Sequence, residues 1–304
     1  MPELDVEVAG VELESPFVLA SGVWGESGAS LARALRAGAA AVVTKSVCLE
    51  PRPGYPNPTV VELPIGLVNA MGLPNPGVEA YGEEIAEALK PGKPVIGSIF
   101  GRSPSEFCAV AKKMEGFGVH ALELNLSCPH VRGAGAELGR SPLLTEKITR
   151  AVKGAVEVPV FVKLTPNTAS IASLAKAAER GGADGVTAIN TIRAMVINLE
   201  LSRPVLSNEF GGLSGPAIKP VGIRAVYEIF EAVRIPIFGV GGVSSGEDAA
   251  EYIMAGARAV QVGTAVYKER EQTFRQLRRH LSRLMTRLGY ESIEEMVGRA
   301  HGGR

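Results

Sequence analysis

The chain has 304 residues, 46% of them hydrophobic and 21% charged, with 32 basic residues set against 32 acidic ones. That composition supports a sizeable core and excludes disordered, collagenous and coiled-coil chains. A net charge of zero leaves no excess of Lys and Arg to neutralise nucleic-acid phosphates or an anionic membrane, so the expected partner is a small molecule.

Met1-Pro2-Glu3-Leu4-Asp5 carries acids and no basic leader region, and no apolar run approaches the about 18 residues of a membrane span, so a soluble cytoplasmic protein is expected. Residues 6–13 alternate Val and Glu around Ala9-Gly10 and read as a hairpin. Short β-branched runs then recur at 17–20, 41–46, 94–100, 121–127, 159–165, 185–190, 236–242 and 259–264, most of them ending in Gly, Ser, Thr or Asn. Helical patterns fill the spaces at 30–37, 105–116, 144–155, 170–181, 221–233 and 247–255, and a basic amphipathic helix follows at 274–288. Eight strand–helix repeats predict an α/β fold, a (β/α)8 TIM barrel with an N-terminal β-hairpin, occupying 1–304 as one domain. The end from residue 300 is expected to fray.

The connections 47–78 and 191–220 are far longer than the few residues usual in α/β units. Both are long loops after strands, the second and the sixth, which puts them on the C-terminal face where barrel enzymes place their chemistry. Glycines at the ends of strands seven and eight, Gly241, Gly242 and Gly263 with Thr264, let backbone N–H groups approach an oxyanion. Barrel turns are rich in glycine anyway, and such a phosphate cradle serves flavin enzymes, phosphosugar isomerases and synthases alike.

Lys45 and Lys163 stand inside apolar strands, where an unpaired ammonium is heavily penalised. Either they snorkel to the barrel rim, or they face an anionic ligand or a flavin ring whose reduced form is negative. The three cysteines, Cys48, Cys108 and Cys128, are too few and too scattered for a disulfide framework, a paired CxxC zinc site or a four-thiolate cluster, and no metal site is expected. Cys48 and Cys108 read as inert buried hydrophobes. Cys128, held extended by Pro129 and set among Asn125, Ser127 and His130, reads as a thiol reaching the mouth. In Asn69-Ala70-Met71-Gly72-Leu73-Pro74-Asn75-Pro76-Gly77, turn formation explains Asn75 onward. Asn69 offers the donor and acceptor that suit a pyrimidine edge.

Together, Ala20-Ser21-Gly22, Thr44-Lys45-Ser46, 69–77, 123–129, 162–167, Ile189-Asn190-Thr191, 211–220, Gly241-Gly242-Val243 and Val262-Gly263-Thr264 resemble the class 1 dihydroorotate dehydrogenases. The run 211–220 is most similar to their NAD-linked 1B branch. The resemblance implies an FMN-dependent oxidation of dihydroorotate to orotate in pyrimidine biosynthesis, with Cys128 taking the C5 proton and the flavin the C6 hydride. It implies that Lys163 faces the flavin pyrimidine ring, and that Lys45, Asn69, Met71, Gly72, Leu73, Asn125, His130, Asn190 and Thr191 hold the substrate. It assigns Ser21, Gly22, Lys45, Ser46, Asn125, Lys163, Ile189, Gly215, Gly241, Gly242, Gly263 and Thr264 to FMN. It further implies a homodimer, or a heterotetramer with an electron-transfer subunit that carries FAD and a [2Fe–2S] cluster and uses NAD. The chain departs from the family pattern at His130, where Asn is usual. The pyrimidine-reducing domain of dihydropyrimidine dehydrogenase has His there too, so reduction of uracil or thymine is the alternative, and a flavin-free phosphosugar isomerase or lyase a third.

Overall fold

The structure is a computed structural model and describes residues 2–126 and 139–302. Eight parallel strands, Phe17–Leu19, Ala41–Val43, Val95–Ile99, Ala121–Asn125, Val160–Leu164, Gly185–Ala188, Ile237–Val240 and Ala259–Val262, close into a barrel in which each strand pairs with its sequence neighbours. Val260 pairs with Phe17 to complete the ring. The (β/α)8 expectation is met, with every strand inside its predicted run.

The helices Gly28–Arg36, Pro104–Gly116, Pro142–Lys153, Ile171–Arg180, Lys219–Ala232, Gly246–Met254 and Thr273–Leu288 match the predicted segments to within about two residues, the usual scatter of helix ends. Serines set many of their starts. Ser27, Ser103, Ser141, Ser170 and Ser245 each accept a hydrogen bond from a backbone N–H in the first turn, satisfying a donor the helix cannot. The helix Gly82–Leu89, between the long loop after the second strand and the third strand, has no counterpart in the sequence reading.

The N-terminal hairpin pairs Val6–Val8 with Val11–Leu13 through Ala9 (φ 51°) and Gly10 (φ 81°), so both turn residues have the positive φ that matches strand twist. Ala is unusual there, and Glu7 compensates by accepting a hydrogen bond from the Gly10 N–H at 3.0 Å. Its buried residues Val8, Val11 and Leu13 belong to one apolar cluster with Val18, Val43, Ile96, Ala121, Phe161, Phe238 and Ala259, which fills the N-terminal half of the barrel interior. Phe161 and Phe238 meet edge to face at 4.9 Å, an arrangement contributing about 0.5–1.5 kcal/mol beyond area burial.

The far terminus differs from expectation. Instead of fraying, His301 stacks on Tyr227 at 3.7 Å and places Nε2 3.0 Å from the Ala255 carbonyl oxygen, which anchors the short 3-10 turn Arg299–His301. These contacts, with the Phe230 ring 4.8 Å away, offset the entropy that usually frees a chain end. Among the described residues, no helix is long and apolar enough to cross a membrane.

Candidate active site

Inward positions alternate along each strand, so the residue two beyond Phe161 also faces the interior. There the filling changes character. Lys163 donates to Glu123 Oε1 at 3.1 Å and to Gln261 Oε1 at 3.3 Å; Thr187 and Gln261 donate to Glu123 Oε2 at 3.0 and 2.7 Å. Lys163 is 6% exposed and Glu123 1%. Burying either charge alone would be costly, and pairing with two neutral partners makes both tolerable. An ammonium has three donors, of which Glu123 and Gln261 use two among the described residues.

Nearer the mouth, Ser46 and Ser98 share a hydrogen bond of 2.8 Å, Asn125 donates to Ser46 Oγ at 3.0 Å, and Asn190 reaches Asn125 Oδ1 at 3.5 Å. Asn190 Oδ1 also accepts from the Thr191 N–H at 2.7 Å. Among the described residues Lys45, 5% exposed, has only the solvent-facing carboxylate of Glu26 at 3.5 Å as an ion partner. Ser21 ties the end of the first strand to the second by donating to the Thr44 carbonyl at 2.7 Å. Strand ends one, two, four, five and six therefore bring Ser21, Lys45, Ser46, Asn125, Lys163, Asn190 and Thr191 to one face, as the sequence reading expects. Asn167 was missed as a site residue: it donates to the Thr191 carbonyl at 3.0 Å and accepts from the Arg193 N–H at 2.9 Å, fixing the chain just past Thr191. Its place two residues after Thr165 in Leu164-Thr165-Pro166-Asn167 was the available signal.

The two long loops build one feature together. Val60–Leu63 and Gly66–Asn69 from the first pair with Gly211–Ser214 and Ile192–Ala194 from the second in a four-stranded antiparallel sheet. Asn69 lies opposite Gly212 and donates to its carbonyl at 3.4 Å. A side chain at Gly212 would collide with Thr191 Oγ1 at 2.1 Å, so glycine is what lets this sheet approach the sixth strand end. Ser214 Oγ accepts from Thr264 at 2.9 Å, tying the sheet to the end of strand eight. Met71, Gly72 and Leu73 follow in a turn with positive φ at Gly72 and Leu73, where the Met71 carbonyl accepts from the Tyr55 N–H at 3.0 Å. Asn75 braces this turn, taking hydrogen bonds from the Cys48 and Gly77 N–H groups at 3.3 and 3.0 Å, which agrees with its turn-forming reading. Arg52, also missed, reaches the Gly72 carbonyl through one guanidinium nitrogen at 3.5 Å, and its buried Nε has no hydrogen-bond partner among the described residues.

Gly215 (φ 98°), Gly241 (φ 126°) and Gly242 (φ 77°) adopt backbone that other residues avoid. A Cβ at Gly242 would lie 2.7 Å from the Gly215 carbonyl oxygen, so these two segments touch, while Gly22 faces open space and a Cβ at Gly263 would rest against Ala20 at 3.6 Å. Behind them, Tyr252 donates to the Gly241 carbonyl at 2.7 Å, and burial pushes its phenol up. Lys219 donates to Asp248 at 2.7 Å; that bond raises its ammonium against the lowering effect of burial. Burial alone would raise the Asp248 carboxyl, but Lys219 and the Ser244 N–H and O–H hold it below the usual carboxylate range. Ile189 is buried at the strand-six end, its N–H bonded to the Val240 carbonyl at 2.8 Å.

Cys48 is buried, its thiol donating to the Glu50 carbonyl at 3.0 Å and pushed up by burial; Cys108 is half-buried in its helix, its thiol also raised by burial. Both fit the inert reading. Cys128 and His130 lie outside the described residues. Among the described residues, no group of His, Cys, Asp and Glu could hold a metal ion.

A family model described as dihydroorotate dehydrogenase matches residues 3–285. The chain is 51% identical over 298 residues to the dihydroorotate dehydrogenase B (NAD(+)) catalytic subunit of Thermoplasma volcanium, covering 98% of each chain. It is 49% identical to that of Pyrococcus abyssi, covering 98% of this chain and 99% of the relative, and 51% identical to that of Methanosarcina mazei, covering 97% and 94%. A closed barrel with its polar groups gathered at the strand ends, and likeness running nearly end to end, make this chain a member of the dihydroorotate dehydrogenase family.

Proposed function

We propose that the chain oxidises dihydroorotate to orotate with FMN, and passes the electrons to NAD through a partner subunit bearing FAD and a [2Fe–2S] cluster. The observation that carries this reading is the convergence of Lys45, Asn125, Lys163 and Asn190 at one mouth, beneath the sheet that holds Asn69. The residues fit the cofactor. Among the described residues Lys163 keeps a donor beyond those used by Glu123 and Gln261, Gly22 leaves open space beside the end of strand one, and Gly215, Gly242 and Thr264 come together where the phosphate would sit. When bound, FMN supplies the hydride acceptor, and Ser21, Ser46, Ile189 and Gly241 complete its seat.

The chain's own residues supply the rest. Lys45 offers a cation to the substrate carboxylate, its exposed Glu26 partner being weakly held. Asn69, Asn125 and Asn190, each with a donor and an acceptor, match the alternating edge of the ring, and Thr191 with the 71–73 turn closes the pocket. Cys128 takes the C5 proton while the C6 hydrogen leaves with its electron pair, so the C5–C6 bond becomes double and one proton and one hydride, two hydrogens and two electrons in all, are accounted for. An unperturbed thiol ionises near about pH 8.5, so turnover rises toward alkaline pH. His130 binds the ring edge in place of the family Asn.

Cys128→Ala is expected to retain FMN but to slow flavin reduction by dihydroorotate about 10²- to 10⁴-fold, the usual contribution of a general base. Stopped-flow absorbance under anaerobic conditions measures it, and near-wild-type reduction would remove Cys128 from the reaction. Wild-type protein that turns over uracil or thymine but not dihydroorotate would establish the reductase reading instead.

A further inference from the structure

We infer that Glu123 is a positioning residue: its ion pair with Lys163, tied down by Gln261 and Thr187, is a fixed dipole beneath the mouth that sets the charge a bound flavin feels. This rests on the reading above that FMN lies over Lys163. Four barrel strands, the fourth, fifth, sixth and eighth, each contribute one member of the cluster. Three donors converge on the two Glu123 oxygens, the pattern of an acceptor-only carboxylate. The layer just below is wholly apolar and holds the barrel without any charge, and a buried ion pair is seldom the cheapest way to fill such a space. Packing does not call for a carboxylate here.

The geometry gives it another task. Glu123 and Gln261 hold the lysine from below, so its remaining donor is directed away from them. Reducing a flavin adds negative charge; Lys163 favours that change and Glu123, one hydrogen bond further away, opposes it in the same dry surroundings. Removing the two charges must therefore move the midpoint potential of bound FMN in opposite directions.

The test is a reductive titration of FMN-loaded protein, read by absorbance, for wild type, Lys163→Met, Glu123→Gln and the double variant. The expected order is Lys163→Met lowest, Glu123→Gln highest, and the double variant between them. Each single variant leaves the other buried charge without its partner and can fail to fold; the double variant uncovers no charge, and its potential must lie above that of any Lys163→Met protein that folds. A Glu123 that merely braces the barrel would change stability or FMN content but not the potential of the FMN that binds. A shift with Lys163→Met but none on removing Glu123, in either background, overturns the proposal while sparing the placement of FMN. No shift from any variant overturns both.

Discussion

The two ends of this barrel have the same backbone and opposite fillings. Below, the hairpin, Phe161 and Phe238 make a dry plug; two residues higher on the same strands, Glu123, Lys163, Thr187 and Gln261 replace the apolar side chains. A strand alternates its faces regardless of chemistry, so the division of labour lies in which residues occupy the inward positions. The lower layer contributes stability and is indifferent to charge; the upper layer gives up packing in return for groups that can bind and move protons.

Truncating the plug should separate the two most sharply. Phe161→Ala is expected to cost about 3–5 kcal/mol of stability through a cavity the hairpin cannot fill, while the protein that remains folded keeps its affinity for FMN. Thermal unfolding with a parallel FMN titration measures both, and loss of FMN affinity without loss of stability would show that the layers are not independent.

The upper rim should respond to pH where the plug does not. Because the Asp248 carboxyl is held below its unfolded value of about 3.9, its stabilising contribution is complete above that value and is lost as pH falls through the lower, folded one. Asp248→Asn should cost about 1.5–3 kcal/mol at neutral pH and flatten the acid side of the stability curve. An unchanged acid limb would mean that the Lys219–Asp248 pair contributes nothing to the cradle's support. Smaller still, Ser245→Ala removes the cap whose hydroxyl accepts from the Asp248 N–H at 3.0 Å, with an expected loss of about 1 kcal/mol and no change in FMN binding, measurable by the same denaturation.

Those two halves were unequally legible in the sequence. The barrel could be read because buried parallel strands are continuous β-branched runs and serines mark helix starts. Lys45, Asn125, Lys163 and Asn190 stood out because polar groups at strand ends violate that pattern. The pairing of the two long loops did not, since Gly66–Asn69 and Gly211–Ser214 are only four residues each, begin with glycine, and are brought together by the barrel between them. Glu123 was seen only as part of a motif: its meaning depends on Gln261 and Thr187, which are 138 and 64 residues away in the chain. His301 was likewise read as frayed because its partners Tyr227 and Ala255 come from distant helices.

The central claim is that one mouth brings flavin and dihydroorotate together. The measurement that tests it most directly is the anaerobic absorbance spectrum of FMN-loaded protein before and after adding dihydroorotate. Bleaching of the oxidised flavin band, with orotate formed in equal amount, is the predicted result. A flavin band that persists in the presence of dihydroorotate would contradict it.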